Sequence, residues 1–273
     1  MPVIDRQEQD SDRALASSSR FTDQVVLVTG AAQGIGLAIA RHFLIEGARV
    51  ALNDLTPERV DAAGRQLAPF DESHLLGCTA DVIVPSQCLA MIERIVAHWG
   101  RIDVVVNNAG IYPSQSVIDM TEDDWDRVLD TNAKGTFLVS QAVARQMIEQ
   151  GIRGQIINIS SGSYHRGRVG SAHYSASKAA VVMFSRVLAM ELAPHGIRVN
   201  VVAPGLIDTG TLDVDESYME ATRRQIPAGR LGRSEDVAAA VLGLAAIATD
   251  YITGAVLAVD GGLALGRYGI PVA

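Results

Sequence analysis

The order of elements in residues 25–54 limits what this chain can fold into more than any other feature. An apolar β-branched run, Val25–Val28, leads into the turn Thr29-Gly30-Ala31-Ala32-Gln33-Gly34-Ile35-Gly36. A helix with apolar residues at helical spacing follows and stops at Gly47. The second strand, 49–53, ends at Asp54, eighteen residues after Gly36. This order is typical of a dinucleotide-binding βαβ unit, in which glycines let the backbone approach a pyrophosphate at a helix N-terminus.

The acid Asp54 indicates which dinucleotide is bound. A carboxylate at this place would accept hydrogen bonds from the adenosine ribose hydroxyls and would repel a 2′-phosphate. The glycine turn contains no Lys or Arg, so we expect NAD as the cofactor rather than NADP. The glycines are spaced G-x-x-x-G-x-G and not G-x-G-x-x-G. Taken alone, the turn could therefore serve only to pack a helix against a sheet.

Strand and helix patterns alternate along the rest of the chain. Strands are predicted at 74–78, 102–106, 155–159, 198–203 and 255–259, and helices at 57–67, 85–98, 121–150, 171–192 and 234–248. Alternation of this kind without internal repeats predicts an α/β fold, a doubly wound parallel sheet with helices on both faces. Ligands of such sheets bind beyond the carboxyl ends of the strands. Those ends carry Gly30, Asp54, Asp81, Asn108, Ser161 and Pro204.

Composition and charge exclude several classes of function. The chain has 273 residues and a formal net charge of -8, which opposes nucleic-acid binding because phosphate recognition needs clustered cations. Its two cysteines, Cys78 and Cys88, form no C-x-x-C pattern, so neither a metal site nor a disulfide is expected. No apolar stretch is long enough to span a bilayer, and we expect no secretory signal. We expect a cytoplasmic protein with no membrane partner.

The chain shows no internal domain boundary. The polar residues 1–20 have little to bury and are interpreted as a flexible N-terminal extension. Residues 21–273 are expected to form a single dinucleotide-binding catalytic domain.

A proton-transfer pair is predicted in the helix at 171–192. Tyr174 and Lys178 are four residues apart, so they would share one face of that helix. A cation one turn away would favour tyrosinate and lower the tyrosine pKa from its usual value of about 10. Ser160 and Ser161 both follow an apolar run, and either hydroxyl could bond a substrate oxygen.

Asn132 falls inside the long predicted helix at 121–150. Asparagine is unfavourable in a helix interior because its side chain competes for backbone hydrogen bonds. We therefore predict a local distortion there, in which Asn132 either holds a water molecule for proton relay or has a structural role alone.

Taken together, these motifs resemble the classical subgroup of the short-chain dehydrogenase/reductase (SDR) family over about residues 21–262. The matching residues are the turn Thr29-Gly30-x-x-x-Gly34-x-Gly36, Asp81, Asn107-Asn108-Ala109-Gly110, Asn132, Ser161, Tyr174, Lys178, Asn200 and Pro204-Gly205. The resemblance implies a seven-stranded Rossmann fold that binds a nicotinamide dinucleotide. It also implies a catalytic tetrad of Asn132, Ser161, Tyr174 and Lys178, and it selects Ser161 over Ser160 by the thirteen-residue interval to Tyr174.

The resemblance further implies a reaction and a set of cofactor contacts. The reaction is reversible hydride transfer between a secondary alcohol, or its ketone, and NAD. Ile207 is expected to bond the nicotinamide carboxamide through its backbone, with a side-chain contact from Thr209. The cofactor-binding residues would be Gly30, Gln33, Gly34, Ile35, Gly36, Asp54, Leu55, Asp81, Val82, Asn108, Ala109, Gly110, Tyr174, Lys178, Pro204, Gly205, Ile207 and Thr209.

The identity of the substrate does not follow from the sequence. By resemblance, the pocket is formed by 111–113, by 163–165 and by a mobile lid at about 206–227. Arg166, Arg168 and His173 are interpreted as surface or interface residues rather than as ligands of an anionic substrate. The tail 266–273 could reach the pocket of a neighbouring subunit.

Two other functions remain open at this point. An NADP-dependent 3-oxoacyl-carrier-protein reductase would share the tetrad, but it normally has a basic residue in the glycine turn and no acid at the position of Asp54. A non-catalytic protein that senses NAD would not need the complete tetrad. The helical segments 135–143 and 179–192 are apolar on more than one face. The homotetramer usual in the family is therefore expected.

Overall fold

The protein is built around a seven-stranded parallel sheet, and the computed structural model describes residues 20–210 and 216–265. The strands are β1 Val25–Val28, β2 Arg49–Asp54, β3 Leu75–Thr79, β4 Val104–Asn107, β5 Gln155–Ile159, β6 Arg198–Pro204, β7 Ile207–Asp208, β8 Gly232–Arg233 and β9 Val256–Val259. The large sheet has the order β3-β2-β1-β4-β5-β6-β9, and β7 pairs with β8 in a small second sheet. The predicted doubly wound fold with seven parallel strands is confirmed.

Helices connect the strands and cover both faces of the sheet. They are α1 Gly34–Ile45, α2 Pro57–Gln66, α3 Pro85–Trp99, α4 Glu122–Leu129, α5 Gly135–Glu149, α6 Ala172–Leu192, α7 Glu216–Arg223 and α8 Ser234–Ala245. A π-helical turn, Asp130–Lys134, joins α4 to α5. The predicted helix at 121–150 therefore contains a distortion at Asn132, as its sequence indicates. Such π turns inside α-helices occur frequently at functional sites.

The direction in which the chain crosses the sheet reverses between β1 and β4. The chain moves from β1 to β2 and β3 on one side, then returns to β4 and continues through β5 and β6 on the other. Val28 pairs with Leu52 of β2 and with Val106 of β4, so β1 lies between the two halves. A crevice opens at the carboxyl ends of the strands at such a reversal, and ligands bind there.

Two apolar clusters lie on opposite faces of the sheet. One packs α1 and α8 against the strands and includes Ile39, Phe43 and Val237, which are fully buried. The other packs α3 and α5 and includes Ile95 and Met147, also fully buried. Because both faces are covered, the central strands are buried along their whole length.

The first described residues are bound to the core. The Phe21 ring meets Phe43 edge-on with centroids 4.9 Å apart, and Arg20 forms a 2.6 Å ion pair with Glu46. Arg20 thus belongs to the folded part of the chain. The rest of the predicted N-terminal extension, the middle of the predicted lid (211–215) and the tail 266–273 lie outside the described residues.

Several details differ from the prediction. Strand β4 begins and ends later than the predicted 102–106, and β3 is displaced by one residue from 74–78. Helix α7 and strand β7 lie within the predicted lid, and β8, the partner of β7, follows it; neither the helix nor the two short strands were predicted. Cys78 and Cys88 are free and buried. Within the two described ranges, no helix is long and apolar enough to cross a membrane.

Candidate active site

The glycine turn after β1 is packed directly against the residues that follow β4. Gly30 has φ of 60°, and a Cβ at this position would lie 2.7 Å from Ala109 Cα, so only glycine fits. The Asn108 side chain donates to the carbonyl oxygens of Thr29 at 3.0 Å and Gly30 at 2.9 Å. Thr29 Oγ1 in turn accepts from the backbone N–H groups of Asn108 and Ala109, both at 3.1 Å. The predicted cofactor residues on these two strands therefore lie together.

The first turn of α1 has the properties of an anion site. Its N-cap, Gln33, is extended and makes no side-chain cap, and the first turn contains no acidic residue. Backbone N–H groups at the start of a helix have no partner within the helix, and they lie at the positive end of its dipole. The residues Gln33, Gly34, Ile35 and Gly36 therefore fit the pyrophosphate of a dinucleotide. Thr209 lies beside this turn, because a Cβ at Gly34 would be 3.5 Å from Thr209 Cβ.

Asp54 lies at the carboxyl end of β2 with its carboxylate held in place. The side chain is 5% exposed. Its Oδ1 accepts from the backbone N–H of Leu55 at 2.8 Å, and its Oδ2 accepts from that of Ala32 at 3.0 Å. Arg59 Nε lies 2.9 Å from Oδ1. The bond to Ala32 ties the acid to the glycine turn, which is the arrangement that a ribose next to a pyrophosphate requires.

The loop after β3 is fixed by its own hydrogen bonds. Asp81 Oδ1 accepts from the backbone N–H of Ile83 at 3.1 Å, and the Asp81 N–H donates to Gln87 Oε1 at 2.7 Å. Asp81 therefore caps this loop, and the buried Val82 follows it. Asn53, which sequence reasoning missed, donates to the carbonyl oxygens of Cys78 and Ala80. This side chain links the ends of β2 and β3.

Asn132 joins three segments of the site. It is fully buried in the π turn and bonds both backbone polar groups of Ile111, accepting from its N–H at 2.8 Å and donating to its carbonyl at 2.9 Å. Its Nδ2 also donates to Ser177 Oγ at 3.0 Å, and Ser177 donates to the Tyr174 carbonyl at 2.7 Å. The amide thus holds the loop after β4 against α6. The water relay predicted for Asn132 stays a prediction.

Lys178 is buried beneath Tyr174. Its Nζ donates to the Ile159 carbonyl at 2.9 Å and lies 5.8 Å from the centre of the Tyr174 ring. Gly110 makes room for this group, because a Cβ there would lie 3.5 Å from Lys178 Nζ and 3.1 Å from Asn132 Oδ1. The structure thus brings together three members of the predicted tetrad and the end of β4.

The two adjacent serines have different surroundings. Ser160 is 3% exposed, and its hydroxyl donates to the Lys178 carbonyl at 2.9 Å. Ser161 is partly exposed, accepts from the Ser163 N–H at 3.2 Å and lies close enough to Tyr174 for its hydroxyl to lower the phenol pKa. Ser160 is committed to packing α6 on the sheet. Ser161 is the hydroxyl that faces the Tyr174 phenol.

The pKa values of the pair differ from the sequence-based prediction. Burial raises the pKa of the Tyr174 phenol from its usual value of about 10, and the effects of the Ser161 hydroxyl and of the Arg168 charge only partly oppose this rise. Burial also lowers the pKa of Lys178, to about 8. The predicted lowering of the tyrosine pKa by a neighbouring lysine is therefore wrong, because burial is the largest effect on the phenol and raises its pKa.

His173 is not a surface residue, contrary to the sequence-based interpretation. Its side chain is fully buried, and its Nδ1 accepts a 2.8 Å hydrogen bond from the Tyr174 backbone N–H. It therefore caps the first turn of α6, where Tyr174 lies. Arg166 and Arg168 are exposed, as expected, and Arg166 donates to the Leu263 carbonyl at 2.6 Å.

Tyr112, in the loop after β4, lies next to Tyr174. The two rings meet edge-on with centroids 6.5 Å apart, and Tyr112 is more than half exposed. On the other side, β6 ends at Pro204, and Gly205 donates to the Val259 carbonyl at 2.9 Å. Ile207 is buried in β7. The predicted cofactor segment 204–209 therefore lies at the same edge of the sheet as the glycine turn.

Comparison with known proteins agrees with this geometry. The family profile described as Enoyl-(Acyl carrier protein) reductase matches residues 30–264. The 3-oxoacyl-(acyl-carrier-protein) reductase FabG of Thermotoga maritima is 40% identical over 250 residues, covering 90% of this chain and 100% of that protein. The human (3R)-3-hydroxyacyl-CoA dehydrogenase is 41% identical over 254 residues, covering 90% of this chain and 97% of its own length.

Solved structures show the same fold. A short-chain dehydrogenase from Bacillus anthracis superposes with a TM-score of 0.85 at 33% identity, covering 92% of this chain and all of that one. A short-chain type dehydrogenase/reductase from Mycobacterium marinum gives 0.85 at 36% identity, covering 91% and 98%.

The fold and the site together define a Rossmann-type oxidoreductase with a nicotinamide cofactor. The chain belongs to the short-chain dehydrogenase/reductase family. It transfers a hydride between a nicotinamide dinucleotide and the CH–OH carbon of a secondary alcohol or the corresponding ketone carbon.

Proposed function

We propose that this enzyme is an NAD-dependent dehydrogenase of a secondary alcohol in which Asn132, Ser161, Tyr174 and Lys178 form the catalytic tetrad. The observation that carries the proposal is the position of the Tyr174 side chain, next to Ser161 and with Lys178 Nζ 5.8 Å from the centre of its ring. The phenol and the serine hydroxyl then act on one substrate oxygen, and the cation lies beneath the phenol.

Each residue has a distinct role in this mechanism. Ser161 bonds the substrate oxygen and orients it towards Tyr174. A nicotinamide cofactor, when bound, would supply the hydride chemistry. In ketone reduction, the Tyr174 phenol gives its proton to the substrate oxygen, and in alcohol oxidation the tyrosinate form takes the hydroxyl proton. Because burial raises the phenol pKa, Tyr174 is protonated at neutral pH. Tyr174 thus already carries the proton that ketone reduction requires.

Lys178 and Asn132 position the reacting groups. The hydrogen bond from Lys178 to Ile159 keeps the ammonium next to the strand that leads to Ser161. Asn132 fixes the Ile111 backbone against α6, so the walls of the pocket and Tyr174 keep their spacing. We further propose that Lys178 donates to the nicotinamide ribose.

The preference for NAD rests on Asp54. Its carboxylate is buried, is bonded to the glycine turn through Ala32 and carries a negative charge where a 2′-phosphate would have to lie. We assign the remaining cofactor contacts to the residues around it: the first turn of α1, Leu55, the 81–82 loop, 108–110 and 204–209.

The test is a panel of secondary alcohols and ketones with each cofactor, followed at the nicotinamide absorbance. We expect a higher kcat/KM with NAD(H) than with NADP(H). Tyr174→Phe should lower kcat by about 10²–10⁴-fold. Tyr251→Phe removes a phenol from a fully exposed side chain and should leave kcat unchanged. Binding of NAD without turnover of any substrate would instead support a cofactor-sensing protein.

An NADP-dependent 3-oxoacyl-carrier-protein reductase is the second candidate. It is favoured by the relatives at 38–40% identity that are named 3-oxoacyl-(acyl-carrier-protein) reductase. It predicts that NADPH and a 3-oxoacyl thioester will give a higher kcat/KM than NADH and a simple ketone. That outcome would show that NADP, not NAD, is the preferred cofactor, and the proposed catalytic tetrad would remain.

We also propose a homotetramer, because α5 and α6 expose apolar side chains. Phe137, Val187 and Met190 are 39%, 42% and 70% exposed. Exposed apolar patches of this kind are typical of protein interfaces. Light scattering at micromolar concentration should give four times the chain mass of 29.0 kDa. A monomer would refute the assembly.

A further inference from the structure

Arg59 is an unexpected neighbour of the acid that selects the cofactor. It lies in the first turn of α2, where its backbone N–H donates to the Thr56 N-cap at 3.4 Å. Its Nε is 2.9 Å from Asp54 Oδ1, while its side chain is 45% exposed and that of Asp54 only 5%. A half-exposed guanidinium therefore covers the outer side of a buried carboxylate.

The carboxylate of Asp54 has little capacity left for a new donor. It offers about four acceptor sites. Oδ1 meets the Leu55 N–H and Arg59, and Oδ2 accepts from the Ala32 N–H. About one site then remains, on Oδ2. A ribose diol donates up to two hydrogen bonds, so its second hydroxyl competes with Arg59 for Oδ1.

The same contacts place Arg59 near the 2′-oxygen of a bound ribose. A hydroxyl bonded to Asp54 must lie about 3 Å from a carboxylate oxygen. Arg59 Nε is itself 2.9 Å from that carboxylate. The guanidinium is therefore within a few ångströms of any group attached to the 2′-oxygen. Guanidinium groups bind phosphates through paired hydrogen bonds, and their charge does not vary with pH.

The charges of Asp54 and Arg59 also favour binding of a 2′-phosphate near Arg59. Asp54 alone would place a full negative charge beside a 2′-phosphate. The adjacent cation offsets that charge, so repulsion of the phosphate is weaker than the acid alone would produce. The glycine turn itself contains no basic residue, which leaves Arg59 as the cation bound to the selecting acid.

We propose that Arg59 is a second determinant of cofactor specificity. When NADP binds, the Arg59 guanidinium moves from Asp54 to the 2′-phosphate, which allows the chain to bind this cofactor as well. Asp54 then sets the preference for NAD, and Arg59 limits how strict that preference is. This inference rests on the proposed nicotinamide-dinucleotide function and deepens its cofactor assignment.

The test measures binding, not turnover. Calorimetry would compare ADP-ribose with its 2′-phosphorylated form, because the two fragments differ by one phosphate and carry no nicotinamide. In Arg59→Gln, affinity for the phosphorylated fragment should fall about tenfold or more, a loss typical of one charge-assisted contact. Affinity for ADP-ribose should change by less than about threefold, which also reports an intact site.

Arg65→Gln is the matched control, since it removes a cation from the last turn of the same helix. It should alter neither affinity. Equal weakening of both fragments in Arg59→Gln, or no change in either, would overturn the role of Arg59 while the proposed function stands. Failure of the wild-type chain to bind either fragment would refute the nucleotide function and the inference together.

Discussion

Lys178 Nζ donates a hydrogen bond to the Ile159 carbonyl oxygen at 2.9 Å, which binds the buried cation of α6 to the last residue of β5. Ser161 follows Ile159 by two residues, and Tyr174 precedes Lys178 by one helical turn. One backbone contact therefore fixes the positions of the three proposed reactive groups relative to one another. Substitutions of the residues around Lys178 should therefore lower activity more than expected from the folding stability that they cost.

The first prediction concerns the pH dependence of stability. Burial lowers the pKa of Lys178 from 10.5 to about 8 in the folded chain. Between these values the unfolded chain binds one more proton at this residue than the folded chain, so stability rises with pH. From pH 8 to pH 9.5, the wild-type free energy of unfolding should increase by roughly 1–2 kcal/mol relative to Lys178→Met.

Urea denaturation of both chains at each pH measures this difference. A constant difference across the window would mean that Lys178 titrates alike in both states. A decreasing difference would mean that its pKa is raised on folding, opposite to the effect of burial.

The second prediction separates the structural role of Asn132 from its role in the site. Asn132 and Asn200 are both buried, and each side chain accepts from one backbone N–H and donates to one backbone carbonyl of another segment. Asn132→Ala and Asn200→Ala should each lose about 2–4 kcal/mol, because buried backbone groups lose their partners. Only Asn132→Ala should also lower kcat at saturating substrate, by tenfold or more.

Denaturation and steady-state kinetics at a temperature where both variants are folded distinguish the two effects. If both variants lose kcat to the same extent, the loss reflects general destabilisation. Asn132 would then have no particular role in positioning the pocket.

The third prediction concerns the contact between the glycine turn and β4. Gly30 and Gly100 both have positive φ, at 60° and 83°. A Cβ at Gly30 would lie 2.7 Å from Ala109 Cα, whereas a Cβ at Gly100 would have nothing within 4 Å. Gly100→Ala should cost about 1 kcal/mol of backbone strain. Gly30→Ala should cost more and should also weaken NAD binding.

Thermal unfolding and calorimetric titration with NAD check this pair. Equal destabilisation with unchanged affinity would show that the close approach of Gly30 to Ala109 is not required for the cofactor site.

Much of the fold could be predicted because its elements depend on local patterns. The apolar runs at Val25–Val28 and Gln155–Ile159 coincide with β1 and β5 to the residue. Alternation of strands and helices then leaves few possible topologies. The position of Asn132 likewise predicted the π turn, because the unfavourable effect of asparagine on a helix is local.

Features that depend on contacts distant in sequence could not be predicted. His173 is polar in a polar segment, and only the packing of α6 buries it. The direction of the Tyr174 pKa shift depends on how far the phenol is desolvated, which residue spacing does not give. Arg59 is an ordinary helix cation in the sequence, and its distance from Asp54 depends on how α2 leaves β2.

Transfer of deuterium from labelled NADH tests the central claim most directly. The ketone with the highest turnover in the panel would be reduced with NADH carrying deuterium at either face of nicotinamide C4, and the alcohol analysed by mass spectrometry. One of the two labelled cofactors should place a single deuterium on the carbinol carbon, and Tyr174→Phe should form the same product about 10²–10⁴-fold more slowly. Alcohol formed without cofactor deuterium, or at an unchanged rate by Tyr174→Phe, would contradict the account.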